Sequence, residues 1–334
     1  MKGKKMASFV IDSKMFKDQY GTEEMRNVFS DENLVQKWLD SWAALAEAEA
    51  EIGMIPEAAA KEIREKAKHE NIDLDAIREG FLKTSHPLMP QIRLFEKACS
   101  KEAGGWIHWG ATTQDIMDTA VVLQMKEAQV IIKRQVRELL DTALERAKQY
   151  RTLVMAGRTH GQHALPITLG YKIAIWADEL GRHLERLEAG KKRYLVGQLA
   201  GAAGTMASLH GDGFEVQERM FRILDLEVPT TTWHVARDGF AEFASIIAMI
   251  SGTVGKIANE IINLMRTEIC EIEESFDMGK VGSSTMPHKR NPMVCENITA
   301  TVRVVQANAM LAFPAMIQEH ERDMTFWQTE WSYI

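Results

Sequence analysis

Four polar interruptions break a helix-rich sequence, and each gathers residues able to bind an anion or move a proton. In the first, His108 precedes Thr112, Thr113, Gln114 and Asp115. Thr112 and Asp115 stand at capping-box spacing, which places a helix start there. A helix start offers free N–H groups and partial positive charge, and both suit a carboxylate. The competing reading is an ordinary capped helix beside an incidental His108. The second interruption, 157–168, holds Arg158, Thr159, His160, Gln162 and His163 and reads as a turn between two long helices. Histidine titrates near neutrality, so general acid–base work fits this pair. A zinc pair is the alternative, but no nearby Asp, Glu or Cys completes a ligand set. The third, 279–293, strings Ser283, Ser284, Met286, His288, Lys289, Arg290 and Asn291 among glycines and prolines. It reads as a loop able to close over an anionic substrate, or as a solvated connection between helices. The fourth, 197–205, is glycine-rich around Gln198. It has no G-x-x-x-x-G-K-[ST] pattern and no clear strand before it, so close backbone packing with Gln198 facing a ligand fits better than a phosphate cradle.

The elements that position these groups read as helices. Residues 115–156 contain neither glycine nor proline and are rich in good helix formers. Three quarters of that stretch would already make a rod of roughly 45 Å. Residues 167–197 and 238–272 follow as long helices, and 292 to about 319 as another. In 238–272, Phe240, Phe243, Ile246, Ile247, Ile250, Val254, Ile257 and Ile261 recur at three- and four-residue steps. A helix so apolar belongs inside a bundle or an oligomer. Ser30 or Asp31 caps a helix burying Leu34, Trp38, Trp42 and Leu45 in a smaller helical unit, 1–105, ahead of the bundle at 106–334. Strand patterns are scarce, and 194–196 is the best of them. The expected fold class is all-α, a bundle of long helices.

The 334 residues are 46% apolar and 26% charged, with a net charge of −7 and the two signs interspersed. That balance points away from nucleic acid and membrane surfaces as partners. No stretch reads as long and apolar enough to span a bilayer, with 240–250 coming nearest. The three cysteines, Cys99, Cys270 and Cys295, are widely spaced and odd in number, which disfavours a disulfide framework. The default address is the cytoplasm.

Gly282-Ser-Ser-Thr-Met-Pro-His-Lys-Arg-Asn-Pro292 resembles the signature loop of the fumarase/aspartase superfamily. His-Trp-Gly-Ala-Thr-Thr-Gln-Asp at 108–115 and Arg-Thr-His-Gly-Gln-His-Ala-Leu-Pro at 158–166 resemble its other two substrate-binding regions, in matching order. The resemblance runs from about Asp12 to the end of the chain. It implies a homotetramer with sites shared between chains. It also implies reversible anti elimination from a small succinyl-type polycarboxylate through an aci-carboxylate intermediate, without metal or organic cofactor. Carried over residue by residue, it makes Ser283 the base and His160 the general acid, with His108 and His86 lining the site. Thr112, Thr113 and Gln114 would hold one carboxylate, and Lys289 and Asn291 another. Thr159, Gln198, Ser284, Met286 and Arg237 complete the expected substrate-binding set. His320-Glu-Arg-Asp323 continues into Trp327, Gln328 and Trp331 where the adenylosuccinate lyase branch usually carries serines and an arginine. That ending resembles the 3-carboxy-cis,cis-muconate cycloisomerase branch instead, the expected activity. Adenylosuccinate cleavage and a catalytically inactive helical scaffold are the alternatives. The small C-terminal helical domain usual in the family is expected to be absent.

Overall fold

A computed structural model describes residues 9–275, 283, 285, 286 and 288–333. The chain starts with a helical unit whose first long element, α1 (Asp31–Glu51), begins where Ser30 Oγ accepts the Asn33 N–H at 3.2 Å. Helices α2 (Glu57–Lys66), α3 (Leu74–Thr84) and α4 (Met89–Ala98) follow. Trp38, Leu39, Trp42, Ile63 and Phe95 form the centre of this core, with Trp42 and Phe95 rings 5.9 Å apart. Ile116, Met117 and Ala120 join the same core, so the head of the next helix is anchored in it.

That helix, α5, runs from Thr113 to Gln149, 37 residues. At ~1.5 Å per residue it is a rod of roughly 55 Å. α6 (Leu169–Tyr194) returns along it, and α7 (Gly213–Leu224) packs on α1. α8 (Asp238–Leu264) lies on α6, and α9 (Met293–Ala309) packs back on α8. Leu180, Leu187, Tyr194, Phe221, Phe240 and Ile246 are among the residues filling the bundle core.

Four expectations need correction. The segment expected as a turn between helices is an antiparallel hairpin, β1 (Val154–Thr159) with β2 (Gln162–Thr168). Its two-residue loop has φ 52° at His160 and φ 77° at Gly161, the paired positive values of a type I′ turn, whose twist matches the flanking strands. Helix α8 stops at Leu264, short of residue 272, and the last helix breaks after Ala309, with Pro314 in a short Ala312–Ala315 turn. α8 is also long and apolar enough, by length and composition, to cross a membrane, with mean hydropathy 1.4. It packs on α6 and α9, which buries 44% of its most apolar stretch.

One buried group in α1 is costly. Glu49 is fully buried, and neither carboxylate oxygen has a partner among the described residues. Burial pushes its carboxyl from 4.5 up to about 9. A raised acid pKa leaves stability intact below the unfolded value and drains it as pH climbs toward the folded one. Keeping Glu49 neutral at pH 7 therefore costs on the order of 3 kcal/mol. Glu49→Gln is expected to unfold at higher urea concentration than the parent near neutral and alkaline pH. The two chains should converge in acid. Equal midpoints at all pH values would show that Glu49 ionises freely.

Candidate active site

The head of α5 is built around Asp115, which is fully buried. Its Oδ2 accepts the Thr112 N–H at 2.8 Å, closing the capping box. The same carboxylate accepts the N–H groups of Ala200 (2.9 Å) and Gly201 (3.0 Å) and His234 Nε2 at 2.8 Å. The glycine-rich segment thus spends these amides on Asp115 instead of offering them to a phosphate. Gln198 is fully buried beside it, its Oε1 accepting the Trp233 N–H at 3.4 Å. Its Nε2 has no partner among the described residues, a buried donor left over. Gln114 Nε2 donates to the His234 carbonyl at 2.9 Å.

Two histidines face this head. His86 Nε2 lies 3.5 Å from Thr113 Oγ1, while its Nδ1 accepts the N–H groups of Leu88 (3.3 Å) and Met89 (3.1 Å). His108 Nδ1 accepts the indole N–H of Trp42 at 3.0 Å. His108 holds φ 67°, a left-handed conformation rare outside glycine. The next turn needs Gly110, because a Cβ there would stand 2.3 Å from Leu209 Cδ2. Burial pushes the His108 ring down to about 4, only partly offset by the Asp115 carboxylate. Arg322 reaches in from the far end of the chain, its NH1 donating to Thr112 Oγ1 at 2.7 Å. Sequence reasoning noted its His-Glu-Arg-Asp motif without placing the arginine here.

Arg237 sits differently from expectation. Its guanidinium is fully buried and bonded to Asp118 (2.7 and 2.9 Å) and to Glu330, with Trp233 and Phe240 rings 4.9 and 4.6 Å away. Nε, NH1 and NH2 are all committed to these carboxylates, so it ties α5, α8 and the Phe326–Ser332 turn together. Beside that pair lies a cavity of about 310 Å³ walled by Phe29, Leu34, Trp38, Met117 and Val121. Pro87 and Gln114, neighbours in sequence of His86 and Thr113, form its edge nearest the head.

The remaining expected site residues lie at the other end of the bundle. Thr159 and His160 are exposed on the hairpin. Arg158 makes a bidentate pair with Glu271 (2.5 and 3.0 Å) and approaches His163 Nε2 at 3.3 Å. Ser283 Oγ accepts the N–H groups of Met286 at 3.2 Å and Thr285 at 3.4 Å. Met286 and Lys289 are exposed, and Arg290 pairs with Glu273 at 2.8 Å. Asn291 leads into α9, whose first amides are capped by Glu274. Ser284 lies outside the described residues. One chain therefore gathers His86, His108, Thr112, Thr113, Gln114 and Gln198 at one end of α5. The hairpin begins just beyond the opposite end, about 55 Å away.

A family model described as a lyase matches residues 18–307. The fold superposes on β-carboxy-cis,cis-muconate cycloisomerase from Acinetobacter calcoaceticus sp. ADP1 with a TM-score of 0.89 at 37% identity. That match covers 96% of this chain and 72% of the other. The chain belongs to the fumarase/aspartase superfamily of lyases. Among curated superfamily members it is 48% identical over 326 residues to an N-acetyl-S-(2-succino)cysteine lyase of Enterococcus italicus, covering 98% of this chain and 71% of that one. It is also 43% identical to an adenylosuccinate lyase of Methanocaldococcus jannaschii, covering 97% and 69%. The all-α bundle expected from the sequence and this superfamily agree; the hairpin is its one small sheet among the described residues.

Proposed function

We propose that this superfamily member cleaves an S-(2-succinyl) thioether, releasing fumarate and a thiol. The reading rests on the cavity beside the α5 head. Its walls are apolar, and its charged groups, Asp118 and Glu330, are acidic and already paired with Arg237. Among the described residues no cation is left there for a phosphate, whereas an uncharged acyl or alkyl tail on sulfur fits. The 48% identity to a relative named for a succinylated cysteine derivative supports the same choice.

In this scheme Thr112, Thr113, the α5 amides, His86 and Arg322 hold one carboxylate. Lys289 and Asn291 hold the one beside the reacting carbon. Ser283 first gives up its hydroxyl proton to solvent, the Met286 and Thr285 amides stabilising the alkoxide, and Oγ then takes the C–H proton and returns to the neutral hydroxyl. The electron pair enters the neighbouring carboxylate to give the aci form. Its collapse forms C=C and expels sulfur, which His160 protonates. Preorganised donors around the dianion supply the largest share of the rate. Because the α5 head and the hairpin lie a helix length apart, a complete site takes its residues from different copies of the chain, in a homotetramer.

The cycloisomerase reading keeps the same base and cradle but uses an internal carboxylate as the leaving group. The fold likeness to such an enzyme favours it. Incubation with N-acetyl-S-(2-succinyl)cysteine, 3-carboxy-cis,cis-muconate and adenylosuccinate separates the readings. Stoichiometric thiol and fumarate are expected from the thioether. Turnover of either of the other two compounds with no thiol released would overturn the proposal.

A further inference from the structure

Three imidazoles meet at the α5 head: His234 is spent on Asp115, and the bonding of His86 and His108 fixes which nitrogen of each carries hydrogen. An indole N–H can only donate, so His108 Nδ1, 3.0 Å from Trp42 Nε1, must present its lone pair. The neutral ring then carries its hydrogen on Nε2, which has no bond to a described residue. His86 is held the same way by backbone: two amide N–H groups point at Nδ1, leaving Nε2–H toward Thr113 Oγ1. A second proton on the His108 ring would have to displace the Trp42 donor. Trp42 cannot turn aside easily, since it is 1% exposed and packs between Phe95 and the edge of the His108 ring.

We infer that Trp42 is a positioning residue that holds His108 as a permanently neutral Nε2–H donor to a substrate carboxylate, leaving proton transfer to a histidine elsewhere. His160 suits that role, standing exposed at a hairpin tip with no bond to a described residue. The charged and titratable groups facing His108 are Asp115 and His86. The first favours a proton on the ring and the second opposes it, while burial outweighs both. The cradle so formed keeps its donors, and its affinity for a dianion, across the physiological pH range. The inference rests on the carboxylate-binding reading above for its kinetic arm only.

Trp42→Phe retains an apolar ring and deletes the donor. His108 can then shift its hydrogen to Nδ1 and turn a lone pair toward the carboxylate. KM should rise about tenfold both near pH 5.5 and near pH 8, because burial keeps the freed ring neutral at either. A packing defect alone would raise KM equally in a chain without the His108 ring. His108→Gln, which keeps a neutral N–H donor, should hold activity within about tenfold, where a proton shuttle would lose about a thousandfold. In that background Trp42→Phe should add no further rise in KM, whereas a packing defect would add the same roughly tenfold rise.

Histidine-labelled nitrogen NMR gives the reading without substrate, the His108 signal being the one lost in His108→Gln. It should stay a single Nε2–H tautomer between about pH 5.5 and about pH 8 in the parent. Titration of that signal near neutrality would overturn the inference, whatever the substrate proves to be. A stable tautomer in a protein that ignores every succinyl thioether would sink the proposed reaction alone. Should Trp42→Phe fail to fold, the parent spectrum and His108→Gln still decide.

Discussion

Alanine at Ser283 is expected to lower kcat on the best substrate by about a thousandfold or more, with a much smaller change in KM. The Ser283 hydroxyl accepts two backbone N–H groups, from Met286 and Thr285, so the alkoxide that must form before proton abstraction meets donors already in place. Removing Oγ deletes the proton acceptor and leaves the carboxylate cradle at the α5 head untouched. The loss should therefore fall on the chemical step and not on binding. Exchange of the substrate C–H with deuterated solvent offers a second readout and should vanish with turnover. Full activity in Ser283→Ala would transfer the base to another group and dismantle the assigned mechanism.

Mixing two inactive variants is expected to restore activity. Thr113→Val cripples the head of α5, and Ser283→Ala cripples the loop at the other end of the bundle. If each working site draws those residues from different copies, random reassociation leaves about a quarter of sites with both native groups. Recovery toward a quarter of parental activity after co-refolding, from two near-silent parents, is the expected result. A site contained in one chain would give no recovery at any mixing ratio. The separation that motivates the experiment is simple geometry: 37 helical residues lie between Thr113 and the end of α5.

Much of this architecture is visible in the sequence because its causes are local. A run without glycine or proline becomes α5, and the Thr112–Asp115 spacing marks its start to the residue. Ser30 caps the helix expected of it. The hairpin escapes because its strands are short, kinked by a register shift between Ala156 and Arg158, and joined by a His-Gly loop in place of Asn-Gly or Asp-Gly. Arg237 could be taken for a ligand group because its partners, Asp118 and Glu330, are 119 and 93 residues away in sequence. Glu49 hides for a related reason. In the alternating Glu47-Ala-Glu-Ala-Glu51 run every glutamate looks solvated, and only the three-dimensional helix face shows that Glu49 points inward. Trp42 reads correctly as a core residue in sequence. Its single polar atom, and what that atom does to His108, appears only once two units of the fold are docked.

The four N–H groups gathered by Asp115 come from residues as many as 119 positions away from it in sequence. If the α5 head binds substrate as proposed, recognition is thereby coupled to the completion of folding. A collapsed chain could have every helix formed, and full far-ultraviolet dichroism, while 197–201 and 232–234 were still undocked. Its α5 head would lack a fixed shape and would not compete for dicarboxylates. Ligand binding can then draw only on finished molecules, stabilising them by mass action and giving partly folded chains no reward.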